Sequence, residues 1–365
     1  MEKILTTDLL PGMVTAQPVI TPNGQILYSA GVTLDKKMIA RITFYSIPHA
    51  MIVEPEEPED NPDITPVSPA SSEVVSEKKE EPAQLFQNFE TAYTSKLFHI
   101  REMFERIFKD EDLDAKTFMR EALDILGSQK LTTIELFDHI HNLRQNEDTV
   151  YAHSINVALI ARILGTWLKY DPETIDQLTI AGLLHDVGKL RIPPAILDKP
   201  GKLTEAEYEI VKTHPRMSVD CLGHFHLEDR VLNAILHHHE RCDGTGYPSK
   251  LKGAQIDDFT MVIAISDVYD AMTAARKYRE PLCPFQVIAL FEEEGLQKYN
   301  PPVILTFLNR IANTYQNNRV MLSDGRIATI VLLNDKHLSR PTVALADGSF
   351  IDLSTSSLKI ASILR

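Results

Sequence analysis

The sequence predicts a mainly α protein: a helical bundle over residues 84–317, set between a small β-rich module at 1–53 and a short antiparallel β segment at 318–365. Three observations predict it. Apolar residues recur every three to four positions from Gln84 to about Gln316, the repeat of a buried helix face. After Asn317 the repeat drops to two, punctuated by Asp324-Gly325 and Asp347-Gly348, as in strands joined by tight turns. Residues 54–83 are acidic and rich in proline and serine, the composition of a disordered linker rather than of a packed element.

In the first module, Gln17-Pro-Val-Ile20 and Gln25-Ile-Leu-Tyr28 flank Pro22-Asn23-Gly24, a hairpin signal because Asn-Gly tolerates positive φ. Gly31-Val-Thr-Leu34 leads to Asp35, the expected N-cap of a short helix through Ile42. Ala50-Met-Ile-Val53 is the expected closing strand. The module shows no metal cluster and no glycine-rich phosphate loop, so its expected role is regulation or docking, to a protein partner or to a second copy of the chain.

The linker also explains the charge. Residues 54–82 hold ten Asp or Glu against two Lys, a net of −8, which leaves −6 of the total −14 for the other 336 residues. The acidity therefore does not exclude an anionic substrate at a site elsewhere in the chain.

Within the bundle, Phe104, Ile107 and Phe108, then Phe118, Leu123 and Leu126, then Leu136, Ile140 and Leu143 mark successive helices. From Val157 through Leu159, Ile160, Ile163 and Leu164 to Trp167 and Leu168 the next helix is apolar nearly all round, so it belongs in a core. Asp171-Pro172-Glu173 restarts a helix with proline in its first turn, running through Leu178 and Ile180 into His185. The closing β segment is expected from Val320-Met-Leu-Ser, Ile327-Ala-Thr-Ile-Val-Leu-Leu, Pro341-Thr-Val-Ala-Leu and Phe350-Ile-Asp-Leu, packed as a small sheet on the bundle.

Three cysteines, Cys221, Cys242 and Cys283, lack metal-finger spacing and argue against a disulfide framework. The start Met1-Glu-Lys-Ile-Leu lacks a secretory pattern, and no run of about 18 apolar residues suits a membrane span. The expectation is a cytoplasmic chain. With neither a basic stripe nor an aromatic stacking motif, nucleic acid is not an expected partner.

The chemistry concentrates in histidine. Eight of the thirteen histidines lie between residues 153 and 239, a density that packing alone seldom produces, and imidazole is a ligand for divalent metals. His185-Asp186 lies in Gly182-Leu-Leu-His-Asp-Val-Gly-Lys189, where a carboxylate is able to bridge two cations and Gly188 is able to bend Lys189 back toward a phosphate. His153 sits in the apolar helix, where a lone histidine is more often a core residue, and His214 before Pro215 also suits a helix end. His237, His238 and His239 form a row of which neighbours point about 100° apart on a helix, so phase alone does not choose the ligating pair. Asp267 falls in Met261-Val-Ile-Ala-Ile-Ser-Asp267, where an ionised carboxylate is costly unless a cation compensates it. Jointly these residues point to a two-metal phosphohydrolase.

His185-Asp-Val-Gly-Lys189 resembles the HD-domain phosphohydrolases, and His238-His-Glu-Arg-Cys-Asp-Gly-Thr-Gly-Tyr-Pro248 is similar to the signature of their HD-GYP subfamily, the cyclic di-GMP phosphodiesterases. Ile192-Pro-Pro through Leu203, His214-Pro215, Asp267-Val-Tyr-Asp-Ala-Met and Arg276-Lys-Tyr-Arg279 also fit, so the resemblance covers roughly residues 145–290. It implies an HD-type bundle with His153, His185, Asp186, His214, His238, His239 and Asp267 as metal ligands, Asp186 bridging. Glu240 must follow the ligating pair, which selects His238 and His239. Lys189 matches the phosphate-contacting lysine, and Tyr247, Asp270, Arg276 and Arg279 match substrate contacts, with Asp186 and Lys189 at the chemistry. Asp243 and Gly246 are expected to shape the loop. The implied cofactors are two divalent ions, Fe or Mn by ligand type.

Three departures stand out: Thr149 where some members carry a glutamate for a third metal, Ser218 where a glycine is usual, and Ser249-Lys250 after the GYP triplet. The implied reaction is attack of a hydroxide shared by two metals on phosphorus, opening cyclic di-GMP to linear pGpG, or to GMP on a second cut. The alternatives are an HD phosphohydrolase for another nucleotide and a cyclic di-GMP receptor without turnover.

Overall fold

The fold is described from a computed structural model, covering residues 2–6, 9–20, 26–35, 38–39, 42, 47, 49–53, 82–109, 114–127, 136–137, 150–274 and 281–364. Two compact units divide at Phe98 and His99.

In the first unit, β1 (Glu2–Leu5) is followed by β2 (Val19–Ile20) and β3 (Ile26–Tyr28), which pair antiparallel as the hairpin reading requires. The Asn23-Gly24 turn and the linker at 54–81 lie outside the described residues. β4 (His49–Ile52) closes the module by pairing antiparallel with β1, Glu2 opposite Ile52. β1 is a strand that periodicity did not single out, since four residues without a turn signal carry too little pattern. Asp35 Oδ1 accepts from the Met38 N–H at 2.7 Å, the expected capping bond. Leu9, Val19, Leu34, Ile42, Ile47, Ala50 and Ile52 make the core of this module. Helix α1 (Pro82–Phe108) runs from the first unit into the second.

The second unit continues with α2 (Ala115–Gly127), α3 (Val150–Trp167), α4 (Pro172–Leu184), α5 (Pro194–Leu197), α6 (Glu205–Val211) and α7 (His214–Leu222). It is completed by α8 (Asp229–His237), α9 (Asp258–Thr273), α10 (Pro284–Leu290), α11 (Leu296–Lys298) and α12 (Pro301–Thr314). Local chemistry sets where these helices start. Asp171 Oδ1 accepts from the Thr174 N–H at 3.0 Å ahead of Pro172, and Asp257 Oδ1 from the Thr260 N–H at 2.8 Å, each satisfying an orphan donor of a first turn. Thr204 and Glu207 form a reciprocal capping box on α6.

Burial holds the middle together. α3 and α9 are apolar nearly all round and lie in the centre, α9 packed against α3 and α4, and α8 against α4, α7 and α9. Gly182 makes the closest of these contacts available: a Cβ there would stand 2.9 Å from Ala158 Cα on α3. This tight crossing brings the end of α4 against the start of α3, which is where the histidines lie.

After α12 the chain forms an antiparallel sheet of β5 (Arg319–Leu322), β6 (Ile327–Leu332), β7 (Thr342–Leu345), β8 (Phe350–Asp352) and β9 (Ile360–Leu364), in the order β8-β7-β6-β5-β9. Gly325 and Gly348 adopt φ of 86° and 83° at the predicted Asp-Gly turns, a conformation glycine takes without a Cβ penalty. Val320, Leu322, Ala328, Ile330 and Val343 face inward in the expected alternation. β9, which no turn signal announced, pairs with β5. Glu292 accepts from the Ser339 hydroxyl and backbone N–H, tying the sheet to the helical part.

Candidate metal centre

Five elements deliver the histidines and carboxylates to one place. His153 lies in the first turn of α3; His185 caps the C-terminus of α4 and Asp186 opens the 3₁₀ turn Val187–Arg191 that follows. His214 opens α7, ahead of Pro215 in the first turn. α8 ends at His237, so His238 and His239 occupy a helix end, where neighbours are free to turn toward one point. Asp267 comes from the middle of α9. His185, Asp186, His214 and His238 are wholly buried, and Asp267 is 5% exposed.

The backbone chooses the tautomers. His185, His214 and His238 each direct Nδ1 at the carbonyl three residues earlier: Gly182 O at 2.7 Å, Val211 O at 2.6 Å and Ile235 O at 2.7 Å. A carbonyl only accepts, so each Nδ1 carries the proton and each Nε2 presents a lone pair. His153 Nδ1 meets Asp270 Oδ2 at 2.6 Å, which likewise turns its Nε2 inward.

Those lone pairs converge in two groups of ligand atoms, each group lying within 4.8 Å: Asp186, His214, His238 and His239, and His153, His185 and Asp267. Asp186 faces both. Its Oδ1 is 3.1 Å from His214 Nε2 and 3.8 Å from His238 Nε2, while its Oδ2 is 3.3 Å from His153 Nε2 and 3.4 Å from His185 Nε2. Asp267 Oδ1 lies 3.0 Å from His153 Nε2, and its Oδ2 lies 3.6 Å from His239 Nδ1.

The arrangement fits cations. As neutral imidazoles, His214 and His238 aim Nε2 lone pairs at each other across 3.4 Å, which is repulsive unless a positive charge sits beside them. Buried His185 Nε2 and Asp186 Oδ1 also have no hydrogen-bond partner, although such atoms are normally satisfied. Mixed imidazole and carboxylate donors suit borderline divalent metals.

The electrostatics agree in direction. Burial, reinforced by neighbouring imidazoles, pushes the pKa of His238 well down, and burial does the same at His239 against the pull of Asp267. Burial favours a neutral Asp186, but His185 and Lys189 outweigh it and hold the carboxyl well below its ordinary range. At Asp267 the adjoining His153 and the other surrounding imidazoles have the same effect. His185 is the exception: burial opposes its charge, but Asp186 moves its pKa up. That carboxylate would draw a metal ion to the same position.

The family model described as an HD domain matches residues 136–303, a span that contains every one of these ligands. That segment is similar to an HD domain. Over 205 residues it is 34% identical to a cyclic di-GMP phosphodiesterase of Pseudomonas aeruginosa, covering 55% of this chain and 49% of that one. Over 144 residues it is 40% identical to a 3′3′-cGAMP-specific phosphodiesterase of Vibrio cholerae, covering 40% of this chain and 33% of the other. The chain thus spans half or less of the length of these two relatives. An HDG"Y"P protein from Bdellovibrio bacteriovorus shares the fold at a TM-score of 0.50 and 16% identity, over 85% of this chain and 99% of its own.

Around these candidate ligands opens a cavity of about 570 Å³, within the range of small-molecule sites. Lys189 lines it, with Nζ 2.5 Å from Asp186 Oδ2. Tyr247 lines it too, its ring 4.7 Å from that of His239 and its phenol pKa raised by burial. Asp270 borders the cavity but is 1% exposed and bonded to His153, so its contact here is with a candidate ligand histidine. Arg276 and Arg279 lie outside the described residues, as does Thr149. Asp243 Oδ1 accepts from Thr245 N–H and hydroxyl, shaping the loop, and a Cβ on Gly246 would meet Glu240 Cα at 2.4 Å. Gly188 serves closeness rather than an unusual bend, since its Cβ would meet His214 O at 2.4 Å.

Three residues gain roles that the pattern did not assign. Glu240 is wholly buried, and its two carboxylate oxygens accept from Ser249 N–H at 2.6 Å and Leu251 N–H at 3.0 Å, which pins the loop carrying Tyr247. Arg241 lines the cavity over the Tyr299 ring. Ser218 bridges the HD turn and α7. The sequence signal for Glu240 was available, as an acid placed between a histidine pair and a Gly-rich loop. Ser218 had none beyond being a departure from the usual glycine.

Proposed function

We propose that this chain is a metal-dependent phosphodiesterase that opens cyclic di-GMP to linear pGpG, with GMP as the product of a second cut. One observation carries the reading: two groups of histidine and aspartate ligands share a single buried carboxylate, Asp186. Two divalent ions, of iron or manganese, would be held by Asp186, His214, His238 and His239 on one side and by His153, His185, Asp267 and Asp186 on the other. When bound they would supply Lewis acidity and make hydroxide available near neutral pH.

The chain's own residues do the rest. Lys189 is placed beside Asp186 to receive a non-bridging phosphate oxygen, lowering the barrier by meeting charge as it develops. Tyr247, held by Glu240 through its loop, forms a wall for the substrate and shields the ligands from water. Arg241 offers the second positive charge among the described cavity residues, and Arg276 and Arg279 would add forked contacts to phosphate. Lys189 or Tyr247 would deliver the proton to the leaving 3′-oxygen.

The same proposal places the chain in the cytoplasm and gives residues 1–53 a docking role. The location is supported by the three free cysteines and by the fact that no helix among the described residues is long and apolar enough to cross a membrane. The similarity to a cGAMP-specific enzyme favours one second reading, hydrolysis of a mixed cyclic dinucleotide at the same centre. The test is chromatography of cyclic di-GMP and 3′3′-cGAMP incubated with protein purified without oxygen and supplied with Mn(II) or Fe(II), beside an Asp186→Ala control. Release of pGpG or GMP by the unaltered protein alone is the expected result. Preferential cleavage of cGAMP would select the second reading, and two bound metals with neither substrate cut would leave a receptor.

A further inference from the structure

We infer that Ser218 is a positioning residue of the centre, setting Asp186 and Lys189 against His214 through one hydroxyl group. The inference rests on the metal-binding reading of the site. Ser218 stands one helical turn after His214 on α7 and is wholly buried. Its Oγ donates to His185 O at 2.9 Å and accepts from Gly188 N–H at 2.8 Å. These two backbone groups lie on either side of Asp186, one in the peptide that enters it and one just before Lys189.

A hydroxyl is the small group that donates and accepts at once. The gap admits little else: a Cβ on Gly188 would stand 2.4 Å from His214 O, 2.5 Å from Ser218 N and 2.8 Å from Ser218 Oγ. The HD turn and the first turn of α7 therefore touch backbone to backbone, with the Ser218 hydroxyl as the link between them. Without it, His185 O and Gly188 N–H are buried and unpaired, and the turn is free to pivot. Asp186 then loses its fixed distance of 3.1 Å to His214 Nε2. Because Asp186 faces both ligand groups, a pivot there loosens both metals together. The global fold is held by other contacts, among them buried Leu184, Val187 and Leu222.

The test compares full-length, metal-stripped protein with Ser218→Ala and Ser218→Cys, the second of which leaves no cavity but donates and accepts only weakly. Thr179→Ala is the control; it removes an equally buried hydroxyl, bonded to Ile175 O, away from the ligands. Mn(II) affinity is read from the free-ion electron paramagnetic resonance signal, and the bridged pair from its exchange-coupled spectrum at low temperature. Ser218→Ala is expected to weaken Mn(II) binding about 10–100-fold, the usual effect of losing an outer partner of a ligand, and to erase the coupled spectrum. Its metal-free melting temperature should stay close to that of Thr179→Ala. If Ser218→Ala fails to fold, Ser218→Cys carries the comparison, with the same weakening expected. Mn(II) binding by the Ser218 variants equal to that of the unaltered protein overturns the inference alone, as does equal weakening in Thr179→Ala. Absence of Mn(II) binding by the unaltered protein overturns it together with the metal reading.

Discussion

Replacing Gly182 by alanine sets two well-defined effects against each other. In a helix interior, Gly→Ala gains about 1 kcal/mol of intrinsic propensity. At this position, however, the new Cβ would stand 2.9 Å from Ala158 Cα, 3.0 Å from Ala158 N and 3.1 Å from Val157 C. All three atoms are backbone of α3 and have no rotamer through which to escape. Carbon atoms rest at about 3.5–4.0 Å, so α4 has to withdraw from α3 by roughly 0.5–1 Å. Overpacking of this kind costs about 1–3 kcal/mol. With three rigid backbone atoms inside contact distance the cost lies in the upper part of that range, about 2–3 kcal/mol, so the clash outweighs the propensity gain and the net loss is about 1–2 kcal/mol. For a unit of this size each kcal/mol moves the melting temperature by about 2–4 °C, so calorimetry of the metal-free protein should show a fall of about 2–8 °C. The same withdrawal carries His185, whose Nδ1–H is bonded to Gly182 O, away from His153 on α3. Mn(II) affinity should fall in parallel. A melting temperature equal to or above that of the unaltered protein would refute the reasoning, because propensity would then have won and the α3–α4 contact would not be tight.

Four further outcomes follow from the site. Asp186→Asn keeps the volume but removes the charge shared by both ligand groups; metal content by mass spectrometry should drop for both ions, by more than the roughly 10–100-fold typical of an outer partner. Asp270→Ala should lower metal affinity about 10–100-fold by releasing His153 Nδ1, with the metal-free melting temperature as the check that folding survives. Glu240→Gln leaves only one of its two oxygens to accept from Ser249 and Leu251; it should cost about 1.5–3 kcal/mol and speed hydrogen exchange across residues 241–251. Asp186 and Asp267 are both held well below the ordinary carboxylate range. Their contribution to the metal-free fold is therefore complete above the unfolded value of about 4 and is lost only as pH falls below it; a melting temperature that drops between pH 7 and 5 in the unaltered protein, but not in an Asp186→Asn, Asp267→Asn double variant, would contradict this.

Periodicity and composition alone determined the mainly α class, the change to strands after Asn317 and the two Asp-Gly turns, because these depend on which residues lie three, four or two positions apart. The residue types of the centre were legible for a related reason: histidine density and a carboxylate in an apolar run are costly without a cation. Adjacency in sequence could not show that His238 and His239 sit past the end of α8, nor that Asp186 turns one oxygen to each ligand group. Those facts come from five elements meeting in space. Asp270 shows the difference most clearly. It is one turn from Asp267 on the same helix, yet its carboxylate meets His153, 117 residues away, and so orients a candidate ligand. The roles of Ser218 and Gly188 likewise exist only where α7 crosses the HD turn, since a hydroxyl bridging two backbones or a missing Cβ between them leaves no period, spacing or charge in the chain itself. Tertiary structure decided these because close approach belongs to a pair of segments, and no single segment records it.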